Sequence, residues 1–358
     1  MVSKQWCSLI SGPYFSRCLN EIENSSALFL RAVTCSPSSP PKYHFLPLDG
    51  KPVRDDSLRS LTFVDDPAGI KILQSCNGLF LCCSNNCTVA ERNYYIYNPA
   101  TNEYTKLPKP GFRTPNTIFG VFLAFDPSKS SSSHYKVVFV RSSESSPRDL
   151  YQLEIFSSET QLWTFSREIP SANYSQGVYC CGAIYWRTNS GAFQCFIVDQ
   201  ERFEEIPMPE IPYTWGQQAK CRYFGESGDH LHLILTDGRR KTRKFNVYQM
   251  EEDFSGWFVK YEVDLSQLIS AYPEMTRSNS NQSNWDWDYH AFRVLAIFSK
   301  GIESFMVLHI PGKAICYSFR DKTCTLLHDF APNCPDIDGV TIFEPNDAYP
   351  YLRTFACV

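Results

Sequence analysis

No uninterrupted apolar stretch in this 358-residue chain approaches the roughly twenty residues that a membrane helix needs. No charged-then-apolar leader opens it either, because Lys4 is followed by Gln5-Trp6-Cys7-Ser8. The expectation is a protein of the cytoplasm or nucleus with no membrane partner. Charge is also sparse. Asp and Glu number 38 against 34 Lys and Arg, a formal balance of −4, so no global field draws the chain to nucleic acid. Enzyme signatures are missing: there is no Gly-x-Ser-x-Gly elbow, no P-loop and no dinucleotide fingerprint. Ser, His and Asp residues are plentiful, but no spacing singles out a triad. A non-catalytic protein without a cofactor is expected. Helical periodicity is nearly absent after the first ten residues, the best short exception being Leu265 to Ala271.

What the chain has is aromatic residues, 15% of the total, which argues for an ordered, core-rich β protein. Fifteen cysteines spread over a long chain with no export signal read as reduced, packed thiols. Cys76, Cys82, Cys83 and Cys87 cluster locally. Cys82 and Cys83 are adjacent on a strand, however, and so point to opposite faces, which a zinc site would not favour. His230 and His232 share a strand face beside Asp229. They lack a third ligand nearby in sequence, and a solvent-facing strand edge explains them equally well. Trp285-Asp286-Trp287-Asp288 has the look of a WD signature without its upstream Gly-His partner, and reads as an aromatic loop in a Ser/Asn-rich stretch. Arg239-Arg240-Lys241-Thr242-Arg243-Lys244 follows the hairpin signal Asp237-Gly238. It reads as a solvated tip, a nuclear-import patch or a contact for an acidic partner.

Period-two runs dominate and recur in units. An apolar strand follows a Gly turn, a second strand ends in a polar turn, and a third leads to a Pro or Leu-Pro stop. Five units are visible. They fall at Asn77 to Pro108, Val121 to Phe165, Gly177 to Pro207, His230 to Tyr261, and Val294 to Phe319. The N-terminal strands Ala27 to Val33, Tyr43 to Leu48 and Ser60 to Val64 would complete a sixth with Val340 to Phe343 and Leu352 to Phe355. Repeats of about forty to fifty residues with about four strands each indicate a β-propeller. The fold class expected is mainly β, a degenerate propeller of about six blades, closed by pairing N- and C-terminal strands. A long β-sandwich is the alternative.

The first residues differ from the rest. Val2, Trp6, Leu9 and Ile10 form an i, i+4, i+7, i+8 stripe on a short helix that Gly12-Pro13 ends. Val2-Ser3-Lys4-Gln5-Trp6-Cys7-Ser8-Leu9-Ile10 resembles the last helix of a plant F-box. Gln74-Ser75-Cys76-Asn77-Gly78-Leu79-Phe80-Leu81-Cys82-Cys83 resembles the entry strand of the F-box-associated domain that usually follows it, of the kelch-like propeller type. Tyr95-Ile96-Tyr97-Asn98-Pro99-Ala100-Thr101 resembles the turn after that strand. The Leu-Pro start and first two helices of the F-box have no counterpart. Residues 1–20 are therefore expected to be a C-terminal F-box remnant, and residues 21–358 the associated propeller. An incomplete gene model would also account for this start.

The resemblance implies the substrate-recognition subunit of an SCF-type (cullin-RING) ubiquitin ligase. In that role Val2, Trp6, Leu9 and Ile10 belong to the docking element for a Skp-type adaptor, which connects to the cullin, and the β-rich domain captures a target protein. Candidate target contacts are the aromatics Trp285, Trp287 and Tyr289 and the basic residues Arg239 and Arg240. Two other readings stand beside it: a stand-alone protein-binding propeller without ligase coupling, and a carbohydrate-acting propeller enzyme with acidic and basic residues converging in a central channel.

Overall fold

A computed structural model describes residues 26–32, 39–48, 58–85, 91–110, 117–127, 134–143, 150–187, 193–213, 215, 219–237, 242–279, 287–299, 303–330, 336–337, 340–341, 347–354 and 356–358. The first strands are β1 (Ser26–Arg31) and β2 (Tyr43–Pro47). Three four-stranded antiparallel sheets follow: β3 (Ile70–Cys76) to β4 (Leu79–Ser84), β5 (Tyr94–Asn98) and β6 (Glu103–Lys106); β7 (Ile118–Phe125) to β8 (Tyr135–Ser142), β9 (Leu150–Ser157) and β10 (Leu162–Pro170); and β11 (Gly177–Cys180) to β12 (Ala183–Arg187), β13 (Phe193–Ile197) and β14 (Arg202–Ile206). A fourth such sheet is β15 (Lys220–Ser227), β16 (His230–Thr236), β17 (Lys244–Met250) and β18 (Trp257–Asp264).

After the short helix α1 (Ser266–Ala271) comes a ribbon of β19 (Thr276–Asn279) and β20 (Trp287–His290). It leads to a fifth four-stranded sheet of β21 (Arg293–Phe298), β22 (Phe305–Ile310), β23 (Lys313–Ser318) and β24 (Cys324–Asp329). A two-residue ribbon of β25 (Asp336–Ile337) and β26 (Val340–Thr341) precedes β27 (Ala348–Leu352), which joins β1 and β2 in a sheet of order β2-β1-β27. The fold is mainly β, a six-bladed propeller, with α1 the one α-helix among the described residues. The chain divides into two compact units, Met1–Glu205 with Tyr349–Val358, and Ile206–Ala348.

The four-stranded blades share one gradient of burial. All six residues of β4 and all five of β5 are buried, which is why those segments read as continuous apolar runs. The outermost strands β6, β10 and β14 are mostly exposed and polar. First strands such as β7 and β11 are half-buried where they begin. In the first unit, Leu79, Leu81 and Ile96 of one blade pack on Leu123, Val137 and Phe139 of the next. On the other face of that next blade, Phe122 and Val138 meet Trp186 and Phe196. In the second unit, Ile234 and Val247 pack with Met306, Leu308 and Ile315, sealed by Leu268 of α1. Full burial of one such side chain contributes about 1.5–3 kcal/mol.

Side chains of two sequence motifs bind the blades of the first unit. Gln74 accepts a bond from Leu123 N (2.7 Å), and Asn77 Nδ2 donates to Phe125 O (2.7 Å). Ser75 Oγ donates to Pro350 O on the opposite side, and Tyr349 Oη donates to Ile72 O (2.9 Å). Asn77 and Gly78 both have positive φ (46° and 87°), as the tight β3–β4 turn demands. Asn98 is fully buried. Its Nδ2 donates to Thr354 O (3.1 Å) and Ala356 O (2.8 Å), and its Oδ1 accepts from Ala100 N (2.9 Å). The Pro stops have a role as well: Trp163 Nε1 donates to Pro108 O, and Trp257 Nε1 to Pro207 O, each at 2.8 Å. Asn98→Ala is expected to lower stability by about 2–3 kcal/mol, because two buried carbonyls lose their donor; a urea midpoint reads it directly.

Three strand expectations are corrected. Ser60 to Val64 forms no strand; Arg59 alone bridges to Tyr43, and Phe63 turns to stack on Tyr97 at 4.1 Å. The closing strand is 348–352, whereas Val340–Thr341 pairs with Asp336–Ile337. Trp287 and Asp288, read as loop, lie in β20, which pairs with β19 in the register Asn279↔Trp287 and Arg277↔Tyr289. The partner Thr-Arg-Ser-Asn has no apolar alternation to announce it.

Candidate functional site

In the second unit, β15 and β21 run side by side. Ile297 N donates to Tyr223 Oη (3.2 Å), and Ser299 N to Ser227 Oγ (2.7 Å), so the two strands advance together. Stepping back along both from these bonds reaches Lys220 and Arg222 on β15 and Arg293 on β21, at one end of the two sheets. Arg222 sits in the bulge between Cys221 and Tyr223. Its Nε donates to Thr236 Oγ1 (3.3 Å), and its terminal nitrogens have no hydrogen-bond partner among the described residues. Burial, and then the charge of Arg293, hold the Arg222 guanidinium below its usual range, with Asp237 opposing. Arg293 faces His309 across the β21–β22 register.

Lys220 is exposed and makes no ion pair among the described residues. Two other lysines at strand starts in this unit are already paired, Lys244 with Asp264 (3.1 Å) and Lys313 with Asp329 (2.8 Å). The connection into β15 exposes Met208 and fully exposes Tyr213. Sequence reading missed this group, because cations as far apart in the chain as Lys220 and Arg293 carry no local pattern.

Of the residues expected to bind partners, Val2, Trp6, Leu9, Ile10, Arg239, Arg240 and Trp285 lie outside the described residues. Arg239 and Arg240 fall in sequence between the paired strands β16 and β17, as the hairpin signal requires. Trp287 and Tyr289 are placed by backbone alone, on β20.

The family model described as KIB1-4 beta-propeller matches residues 46–265, more than half of the chain. The chain belongs to the KIB1-4 β-propeller family. An F-box protein of Arabidopsis thaliana, At5g07610, is 31% identical over 100% of this chain and 87% of its own length. A second Arabidopsis thaliana F-box protein, At5g49610, is 28% identical over 76% of this chain and 75% of its own length. Among solved structures, TolB from Acinetobacter baumannii covers 94% of this chain and 70% of that chain, with 10% identity and a TM-score of 0.45.

Within this KIB1-4 propeller the candidate metal-binding residues are placed individually. His232 is fully buried, not at a solvent-facing edge, and its Nδ1 lies 3.1 Å from His230 O. Cys82 and Cys83 do face opposite ways. Cys82 joins the cluster around Phe29 and Tyr43, and Cys83 the one around Leu79 and Phe139. Burial pushes the Cys82 thiol well above its ordinary range, so the group is a packed, un-ionised thiol.

Burial also pulls His232 down to about 4, and burial with the charge of Arg293 pulls His309 down to about 3, from 6.5. The folded state therefore binds fewer protons than the unfolded one below pH 6.5. Stability is full above that pH and falls as pH drops, by about 1.4 kcal/mol per unit for each histidine until its folded value is reached. Between pH 7 and 5.5 the expected loss from the pair is about 3 kcal/mol, and His309→Gln should flatten the slope of the denaturation midpoint against pH.

Proposed function

We propose that this chain is the substrate-recognition subunit of an SCF-type (cullin-RING) ubiquitin ligase. Residues 1–20 dock on a Skp-type adaptor and the propeller in 21–358 captures the target protein. The observation that carries this reading is the 31% identity with an F-box protein over the whole of this chain. A propeller is suited to the receptor role: its rigid blades hold loops in fixed positions, and the chemistry belongs to a separate conjugating enzyme. The receptor works by raising the effective concentration of target lysines near that enzyme. Its place of action is the cytoplasm or nucleus. Val2, Trp6, Leu9 and Ile10 supply the apolar stripe that docks.

The test is retention of a purified Skp-type adaptor by this chain, by a version lacking residues 1–20, and by Leu9→Asp. Retention by the intact chain alone supports the receptor. Retention by none of the three overturns ligase coupling and leaves a propeller that binds targets without presenting them.

A further inference from the structure

We infer that Cys180 and Cys181 form a vicinal dithiol that hydrogen peroxide closes into a reversible disulfide, which makes the β11–β12 turn an oxidation site. The inference goes beyond the receptor reading and does not depend on it.

Adjacency in sequence does not by itself make such a pair. Cys82 and Cys83 are also neighbours, but they lie inside β4. Alternation there sends one thiol into the cluster around Phe29 and Tyr43 and the other into the cluster around Leu79 and Phe139. Cys180 and Cys181 straddle the end of a strand. Cys180 pairs with Ala183 in the last rung of the β11–β12 ladder, and Cys181 and Gly182 are the two residues of the turn, with φ of +47° and +89°. Alternation stops at that point, and Cys180 Sγ comes to 3.7 Å from Cys181 Sγ.

Two-residue turns with positive φ close two other blades as well. They are Asn77-Gly78 between Cys76 and Leu79, and Gly228-Asp229 between Ser227 and His230. Gly, Asn and Asp are the residues that tolerate this left-handed backbone. Cys is not among them, so the demands of the turn do not account for Cys181.

Exposure divides the roles. Cys181 is exposed and Cys180 is buried beside it, both as thiols. The Cys181 thiolate attacks one peroxide oxygen: an S–O bond forms, the O–O bond breaks, hydroxide leaves, and Cys181 becomes a sulfenic acid. Cys180 then gives up its proton and attacks Cys181 Sγ. The S–S bond forms, the S–O bond breaks, and the departing hydroxide takes a proton to become water. In sum, two thiols lose two electrons and two protons to one peroxide, which becomes two waters. Adjacent Cα atoms stand about 3.8 Å apart across a trans peptide, less than the usual disulfide span of about 4.4–6.8 Å. The closed ring is therefore strained and readily reopened by a dithiol reductant.

In the experiment the full chain, reduced and then freed of reductant, is treated with increasing hydrogen peroxide. Remaining thiols are alkylated in denaturant, and tryptic peptides are read by mass spectrometry. Cleavage after Arg167 and Arg187 puts both cysteines on one peptide, 168–187. That peptide should lose two hydrogens, with neither cysteine alkylated, at a peroxide dose about tenfold below the one that oxidises the exposed Cys357. Dithiothreitol should restore both alkylations, and Cys82 and Cys83 should stay alkylated throughout. Cys180→Ser should leave Cys181 as a sulfenic acid that dimedone traps, whereas Cys181→Ser should leave Cys180 reduced. Cys181→Asn gives this turn the same residues as Asn77-Gly78, and should abolish closure without lowering the urea midpoint. A peptide 168–187 that stays doubly alkylated at doses that oxidise Cys357 overturns the inference. Equal closure at Cys82 and Cys83, or in a chain unfolded in urea, overturns it too, since the folded turn would not be the cause. Adaptor retention is read separately, so neither result touches the receptor reading.

Discussion

Gly78→Ala should destabilise the protein by about 4 kcal/mol or more, because two penalties coincide there. The residue holds φ at +87°, a region that costs an L side chain about 1–2 kcal/mol. Its added Cβ would also lie 2.3 Å from Leu352 O and 2.6 Å from Thr354 Cγ2, so the closing strand would have to move. Gly312→Ala separates the two effects, since Gly312 has φ +70° with nothing within 4 Å. Guanidinium denaturation should show Gly312→Ala losing about 1 kcal/mol and Gly78→Ala several times more. Equal losses would mean that the turn after β3 does not press on the chain at Leu352.

The second large effect is expected at Arg141. Its Nε and Nη2 donate to Glu154 Oε1 at 2.9 and 2.6 Å, and its Nη1 to Ser142 O at 3.3 Å. Both side chains are almost wholly removed from solvent. Arg141→Met alone strands a buried carboxylate and should remove about 3–5 kcal/mol. Arg141→Met with Glu154→Leu removes both charges and should recover most of that loss, or exceed wild type. The difference between the single and double variants in thermal unfolding measures the stranded charge. If the double variant were no better than the single one, the loss would come from packing.

The strands most plainly legible in composition are those covered on both faces. Phe80 to Cys83, Val137 to Val140 and Leu231 to Leu235 are buried throughout, and their composition shows it. The strands that escaped are first or last in their blades. Lys220–Ser227 is half-exposed along nearly its whole length and carries a bulge, so neither face shows a clean alternation. Cys324–Asp329 has Leu326 half-exposed and Thr325 beside it, the mark of an outer strand. The motif Ser75-Cys76-Asn77-Gly78 was recognisable as a string. What each residue does was not, since its partners Leu123, Phe125 and Pro350 lie up to 275 positions away. The basic group around Arg222 was hidden for the same reason: closeness across two blades leaves no trace in local spacing.

The sheet of order β2-β1-β27 also imposes a schedule on synthesis. β1 is made early and β2 soon after it, but the strand on the other side of β1, β27, is translated only after every residue between Arg31 and Ala348. Until then the nascent first blade has an unpaired backbone rim, open to pairing with other chains or to chaperones. A message that stops short of Ala348 therefore yields no smaller propeller. It yields a polypeptide whose opening blade can never be completed.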